Sequence, residues 1–296
     1  MKLHLPLSLR SALLVLLCVA SSSAEDVLQD TSYSVSQNYF AQSGNYVGQG
    51  EQPTYNLTFS GDRLTAISDP NSMGFVMVDG NTLDISNIKT LTFKDFCLNS
   101  FSVDVDGDGG SEVTADMGAA ICAGGASSVS AGSGIELRGS ILLSNNGAIQ
   151  FINNVTKRGG GGAIGLYGSD LNVNDNHSVL FDGNTASMER GGAIVAYNSG
   201  VYFRRNNAIT FTNNRTDNWE GGAINIGGTT YSETTSMVFD ANKSIEFSSN
   251  YARSGGALSL RMGSNSSETH VFQNNIGDAS SSDTVDILFK LNESTF

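Results

Sequence analysis

The chain has 296 residues, of which 29 are acidic and 16 are Lys or Arg, so its formal net charge is -13 at pH 7. Nucleic acids and anionic lipid surfaces bind basic patches, and this balance therefore argues against both as partners. The acidity selects no other partner, because net charge bears on solubility and nonspecific binding rather than on fold.

The first 24 residues have the pattern of a secretory signal peptide. Lys2 and Arg10 flank the approach to an apolar run at 12–20, and Ser22-Ser23-Ala24 supplies the small residues of a cleavage site. The run is shorter than the ~20 residues of a membrane helix. We therefore expect a secreted or cell-surface/outer-membrane protein that associates with membrane only through a partner or the cell envelope.

Two motifs recur in one order through the middle of the chain, Phe-x-x-Asn and then Gly-Gly-Ala-aliphatic. The first two intervals are 30 residues for both motifs, and the third is 36 for Phe and 34 for Gly-Gly. Self-similarity at such a period is typical of a solenoid. The motif residues are Phe151/Asn154, Gly161/Gly162, Phe181/Asn184, Gly191/Gly192, Phe211/Asn214, Gly221/Gly222, Phe247/Asn250 and Gly255/Gly256.

Apolar residues two apart occur three times in each repeat, which predicts three short strands with one buried face. The third repeat illustrates the pattern with Val201/Phe203, Ile209/Phe211 and Ile224/Ile226. No helical spacing interrupts it. The sequence thus predicts an all-β, right-handed parallel β-helix with about 30 residues per three-strand coil.

The same register extends beyond the four copies. Upstream it includes Leu83/Ile85, Leu91/Phe93 and the degenerate block 118–121, and downstream it includes a fifth Phe-x-x-Asn at Phe289 and Asn292. We predict a β-helix over 83–296. Residues 25–82 show no repeat, and because a solenoid needs its first edge covered, we predict that they form an N-terminal cap or lead-in.

Residues 94–117 are predicted to be an insertion that projects from the first coil. Within it, Asp104, Asp106 and Asp108 resemble the opening of a calcium loop, although Ala115 stands where a bidentate Glu is needed. The segment is either a calcium site or a solvated acidic turn. Calcium is the only cofactor that the sequence suggests. Cys97 and Cys122 form either a disulfide or two buried thiols.

In the predicted coils each Phe stacks on the next Phe and each Asn bonds to the next Asn, while Gly-Gly supplies special backbone angles or close approach at a corner. The two interleaved motifs resemble those of the chlamydial polymorphic membrane proteins, which are surface autotransporters with β-helical passengers. The resemblance covers about 83–292 and the signal peptide. No segment is large enough for the family's C-terminal translocating barrel, so we expect a truncated passenger, which is a truncated gene product, a secreted remnant or one part of a split system.

The resemblance implies an adhesin-like, virulence-associated passenger that binds a host cell-surface protein or glycan. Catalysis is not expected, because His177 and His270 are the only histidines after the predicted signal peptide and the acidic residues are scattered. Trp219, Tyr197, Tyr202 and Tyr231 are the aromatic candidates for a contact stripe. Two alternatives stay open. One is a polysaccharide lyase or hydrolase, although Asp170, Asp175 and Asp182 are scattered along the sequence. The other is a non-binding structural spacer.

Overall fold

The structure is a computed structural model. It describes residues 24–34, 38–41, 44–49, 52–61, 71–77, 81–99, 101–103, 113–115, 117–124, 139–227, 235–260, 269–273, 287–290 and 293–294. The predicted signal peptide lies outside these ranges apart from its last residue. No helix in the described part of the chain is long and apolar enough to cross a membrane.

All regular elements in these ranges are strands. The first part of the chain contains β1 (Glu25–Val27), β2 (Thr31–Ser34), β3 (Asn38–Ala41), β4 (Gly44–Gly48), β5 (Asn56–Ser60), β6 (Asn71–Met77), β7 (Thr82–Ser86), β8 (Thr90–Lys94), β9 (Cys97–Leu98), β10 (Phe101–Val103), β11 (Val113–Ala115) and β12 (Ile121–Ala123). The regular coils follow with β13 (Ser140–Ser144), β14 (Ala148–Ile152), β15 (Val155–Thr156), β16 (Ile164–Tyr167), β17 (Asp170–Asn174), β18 (Ser178–Asp182), β19 (Thr185–Ala186), β20 (Ile194–Tyr197), β21 (Gly200–Arg204), β22 (Ala208–Thr212), β23 (Arg215–Thr216) and β24 (Ile224–Ile226). The last elements are β25 (Ser236–Asp240), β26 (Ile245–Ser248), β27 (Tyr251–Ala252), β28 (Leu258–Leu260), β29 (Thr269–Gln273), β30 (Ile287–Lys290) and β31 (Glu293–Ser294).

Strands from successive coils stack into three long sheets. The first sheet has the order β1-β4-β7-β13-β17-β21-β25-β29, and the second has β2-β5-β8-β14-β18-β22-β26-β30. The third holds the remaining strands except the β10–β11 pair, with β9, β15, β19, β23, β27 and β31 in one column and β6, β12, β16, β20, β24 and β28 in another. The pairing is parallel except for β10–β11 and β6–β9. This confirms the predicted all-β parallel β-helix.

The N-terminal boundary predicted at residue 83 is wrong. Strands β1 and β4 stand in the first sheet, β2 and β5 in the second, and β3 and β6 in the third. The described part of 25–82 therefore forms two further coils of the same β-helix rather than a cap. The register is direct, since Phe59 pairs with Phe93 and stacks on it at 5.3 Å between ring centroids.

The predicted insertion is narrower than 94–117. Cys97 and Leu98 pair in register with Val155 and Thr156, so the coil continues through Leu98. Beyond it, β10 and β11 pair antiparallel on either side of 104–112, and the coil resumes near Gly118, whose amide donates to the Gly160 carbonyl. Asp104, Asp106 and Asp108 lie outside the described residues, and the calcium site stays a prediction.

A continuous aromatic stack runs through the interior. The rings of Phe93, Phe151, Phe181, Phe211 and Phe247 lie 4.7 to 5.0 Å apart between centroids and within 7° of parallel. These side chains are fully buried. The spacing matches the ~4.8 Å between neighbouring strands, because each ring sits directly above its register partner. Stacking of the motif phenylalanines, predicted from the repeat, is thereby observed.

The motif asparagines form a buried hydrogen-bond ladder. The Asn154 backbone N–H and Nδ2 both donate to the Asn184 Oδ1, at 3.1 and 2.9 Å, and the same two bonds join Asn184 to Asn214 and Asn214 to Asn250. Each ladder Nδ2 also donates to the carbonyl of a Phe one coil below, as Asn184 does to Phe151 at 2.9 Å. The ladder therefore satisfies one corner of each of these four coils.

A second asparagine ladder lies at the corner between the first and second sheets, and the sequence reading missed it. Asn146, Asn176, Asn206 and Asn242 are buried and repeat the same bonds, at 2.9 to 3.1 Å. Ile88 donates its backbone N–H to the Asn146 Oδ1 where the ladder begins. The residue before each of the eight ladder asparagines has a positive φ, as Asn145 and Asp175 show at 55 and 59°.

The two glycines of each Gly-Gly pair have different roles. The first glycine has a φ between +61 and +73°, a backbone region that residues with a Cβ avoid, at Gly161, Gly191, Gly221 and Gly255. The second has no room for a Cβ at Gly162, Gly192 and Gly222. At Gly162 a Cβ would lie 2.3 Å from the Gly192 carbonyl oxygen, and at Gly222 it would lie 1.9 Å from that of Gly256.

Cys97 and Cys122 are two buried thiols. Cys97 pairs with Ser72 and Cys122 pairs with Val76, so their positions differ by four residues along β6. Four residues of extended strand span about 13 Å, whereas a disulfide requires Cα atoms about 4.4 to 6.8 Å apart. The structure thus supports the thiol alternative and not the disulfide.

Candidate functional site: the Trp219 step

The loops that join the two columns of the third sheet form one exposed ridge along the β-helix. We call residues 157–160, 187–190, 217–220 and 253–254 the loop ridge. In chain order they belong to four successive coils, because Val155, Thr185 and Arg215 pair in register and Arg215 pairs with Tyr251. Two large apolar side chains are exposed on this ridge, Met188 at 57% and Trp219 at 40%.

The ridge changes length immediately above Trp219. Glu220 bridges to Ser254 and Arg215 pairs with Tyr251. Four residues therefore lie between Arg215 and Glu220, but only two lie between their partners Tyr251 and Ser254 in the coil above. The loop of the coil above is two residues shorter, and its Arg253 lies over the Trp219 backbone, where the Arg253 N–H donates to the Trp219 carbonyl at 3.0 Å. We call this place the Trp219 step. A cavity of about 270 Å³ lies there, lined by Asn218, Trp219, Glu220, Arg253 and Ser254.

Arg190, from the coil below, holds the other side of the indole. Its guanidinium carbon lies 4.5 Å from the Trp219 ring centroid, and its Nε donates to Glu220 at 2.6 Å. The Arg190 side chain is only 11% exposed and contacts Glu189 at 3.5 Å. A guanidinium fixed by carboxylates over an aromatic face is a favourable cation–π arrangement. The indole is consequently held in one orientation before any ligand arrives.

Electrostatics support this arrangement. Burial works to lower the pKa of Arg190, but hydrogen bonds and charge attraction from Tyr197 and Glu220 outweigh it and leave the pKa raised. Burial also raises the pKa of Tyr197 and of Glu189. Arg190 therefore stays charged, and its contacts with Tyr197 and Glu220 tie the ridge to the third sheet.

The ridge is locally basic on an acidic protein. Lys157, Arg158 and Arg253 are exposed. In the described part of the chain no carboxylate lies within ion-pair distance of these three side chains. Arg190 and Arg215, by contrast, are paired with Glu220 and Asp217. The unpaired charge of the ridge is thus positive.

The other predicted contact aromatics are differently placed. Tyr197 is half-buried beside Arg190, and Tyr202 is half-buried under Arg204, whose guanidinium carbon lies 4.3 Å from the Tyr202 ring centroid. Tyr231 lies outside the described residues. Of the predicted stripe, Trp219 alone is placed as an exposed aromatic in the described part of the chain. The structure adds Arg190, Arg253 and Met188, which the sequence did not single out.

A polar cleft of about 770 Å³ lies at the corner between the first and second sheets. Its lining includes Asp175, His177, Arg205 and Asn207. Arg205 binds the Asp175 carboxylate through two contacts of 2.7 Å, and Asn207 lies 3.0 Å from His177 Nδ1. Asp170 and Asp182 accept bonds from the Gly200 amide and from Asn213 instead. The three aspartates named in the sequence therefore have separate structural partners.

Among the described residues, no group of three or more His, Cys, Asp and Glu is placed to hold a metal ion. Comparison with known proteins gives no further guide, since no family model, no curated protein and no solved structure matches this chain.

Proposed function

We propose that this chain is a secreted or surface-displayed, adhesin-like β-helical protein without catalytic activity, and that its contact surface is the Trp219 step. The motif resemblance to the passengers of chlamydial polymorphic membrane proteins motivates adhesion as the class of function. The protein would bind a protein or glycan on a host cell. The motif ladders themselves are buried, so they support the surface but cannot contact a ligand.

One observation carries the choice of surface: Trp219 is exposed on one side while Arg190 holds it on the other at 4.5 Å. Tryptophan and arginine are enriched among residues that dominate binding energy. A side chain ordered before binding loses less conformational freedom when the ligand arrives. Exposed Met188 on the coil below extends the apolar surface.

The test compares Trp219→Ala with a matched removal of apolar surface elsewhere. Leu260, 39% exposed, provides the control as Leu260→Ala. Fluorescently labelled purified proteins are titrated onto cultured host cells, and circular dichroism verifies folding. We expect Trp219→Ala to weaken binding at least tenfold, about 1.4 kcal/mol, and Leu260→Ala to change it less than twofold.

Equal binding by the two variants would show that the step is not the contact surface. Failure of the parent protein to bind cells above a shape-matched β-helix would contradict adhesion and favour a structural spacer. Polysaccharide turnover that Asp182→Asn abolishes would favour the enzyme alternative.

A further inference from the structure

We propose that the Trp219 step binds a carboxylated pyranose ring of an acidic glycan. This inference rests on the proposed function and names its ligand class. It follows from three properties of the step: an uncovered aromatic face, an unpaired cation beside that face, and a cavity sized for one ring.

The aromatic face is available because of the ridge geometry. Arg190 occupies one side of Trp219, the next loop is two residues shorter, and Trp219 keeps 40% of its surface exposed. The cavity of about 270 Å³ is slightly smaller than the roughly 300 to 1,000 Å³ of typical small-ligand sites, which suits one ring rather than an extended segment. A flat group with an apolar face can stack there and exclude water from the indole.

Charge decides which flat group fits. Arg253 lines the cavity, and in the described residues it has no carboxylate partner, whereas Glu220 is already bound by Arg190 at 2.6 Å. A cationic group in the cavity would lie beside the Arg253 guanidinium, which has no carboxylate partner among the described residues, and be repelled by it. A carboxylate would gain a charge-assisted hydrogen bond from Arg253. The exposed Lys157 and Arg158, farther along the same ridge, favour a linear anionic ligand over a single acid.

The polar lining suits hydroxyl groups. Asn218 donates its Nδ2 to the Ser187 carbonyl at 3.1 Å, which fixes the amide and leaves its Oδ1 to accept from a hydroxyl. The Arg253 backbone N–H donates to the Trp219 carbonyl at 3.0 Å, so the main chains that carry the cation and the indole are held together. A Glu or Asp side chain of a peptide supplies a carboxylate but no ring to cover Trp219. An acidic sugar supplies both.

The test uses two ligands that differ only in the carboxylate, methyl β-D-glucuronide and methyl β-D-glucoside. Trp219 is the single tryptophan, so its fluorescence reports binding directly in the full chain. We expect the glucuronide to bind with a Kd of about 1 mM and the glucoside at least tenfold more weakly. Added salt should weaken the glucuronide selectively.

Two variants test the assigned roles, and saturation-transfer NMR supplies a readout that does not need the indole. Arg253→Gln should make the two ligands bind equally, and Trp219→Ala should abolish binding of both. Arg205→Gln, in the polar cleft at another corner, is the control and should leave the glucuronide affinity within twofold.

Equal affinity of the parent protein for both ligands would overturn the role of charge. Absence of glucuronide binding would overturn the glycan proposal, yet the proposed function would stand if Trp219→Ala still lost cell binding. If an acidic peptide bound more tightly than a glucuronide oligomer of equal charge, the ligand class would be wrong and the surface right.

Discussion

The buried asparagine ladder can be tested by removing one rung, Asn184→Ala. The Asn184 Oδ1 accepts from Asn154 N–H and Nδ2 at 3.1 and 2.9 Å, and its Nδ2 donates to the Phe151 carbonyl and the Asn214 Oδ1 at 2.9 Å. The alanine would leave the Asn154 amide and the Phe151 carbonyl without these partners. Each buried polar group left unsatisfied costs about 1 to 3 kcal/mol, so we expect a loss of about 3 kcal/mol in unfolding free energy.

Asn184→Asp sharpens the same test because it keeps the shape and removes the donors. The introduced carboxylate would face the Phe151 carbonyl and the Asn214 Oδ1, both acceptors, inside a fully buried corner. Burying an unpaired charge costs more than losing a neutral hydrogen bond. The aspartate variant should therefore be less stable than the alanine variant at pH 7. It should recover partly in acid, where the protonated carboxyl can donate one bond.

Urea unfolding of the purified protein, followed by Trp219 fluorescence and far-ultraviolet circular dichroism, measures both losses. Trp219 lies one coil above Asn184 and reports the affected region. Asn207→Ala is the control, because its amide bonds to His177 at an exposed corner and its loss should cost less than about 0.5 kcal/mol. A loss below 1 kcal/mol for Asn184→Ala, or equal stability of the Ala and Asp variants, would refute the ladder argument.

Two further changes should stabilise the protein. Ala241 has a φ of 56° and occupies the same corner position as Asn87 and Asn145 in their coils. The left-handed conformation costs about 1 to 2 kcal/mol for a residue with a Cβ. Ala241→Gly should therefore stabilise the protein by a net ~0.5 kcal/mol after the entropy cost of glycine, which a higher Tm would show. Burial raises the pKa of Asp84 above its usual 3.8. Protonated Asp84 therefore contributes fully to the unfolding free energy below pH 3.8, and this contribution is lost as the pH rises through the folded-state pKa. Asp84→Asn abolishes this dependence and offers a donor to the Asn45 Oδ1, which is buried with no hydrogen-bond partner in the structure. We expect a gain of about 0.5 to 1 kcal/mol at pH 7 that shrinks toward pH 4, and a constant difference in Tm across pH would contradict it.

The regular coils were predictable because register and chemistry coincide there. Alternating apolar pairs and Phe-x-x-Asn recur with equal spacing, so one copy aligned on the next gives the strand pairs directly, as for Phe151 and Phe181. The second ladder was missed although Asn146, Asn176, Asn206 and Asn242 recur at the same intervals of 30, 30 and 36. An asparagine in a turn is ordinary, and its burial becomes evident only when the coils are stacked.

The N-terminal coils were not predictable from the period. Tyr33, Phe59 and Phe93 stack in one line, yet Tyr33 and Phe59 are 26 residues apart and Phe59 and Phe93 are 34 apart. A parallel β-helix requires only that apolar pairs meet across the sheets, and its corners tolerate loops of different length. Phe96 also stands at the ladder position, where its backbone N–H bonds to the Asn154 Oδ1, so the motif itself is lost.

The same tolerance explains where a binding site can arise in such a fold. In the uniform coils each ring is covered by the next ring and each ladder amide is bonded to the next amide, so the repeats leave little for a ligand to contact. At the Trp219 step this regular cover is interrupted, because successive loops differ in length. The sequence marks that place, because the third interval is 36 residues between Phe211 and Phe247 but 34 between Gly221 and Gly255. The loop above Trp219 is shorter by these two residues. Unequal intervals between two interleaved motifs therefore indicate where successive loops of a solenoid differ in length.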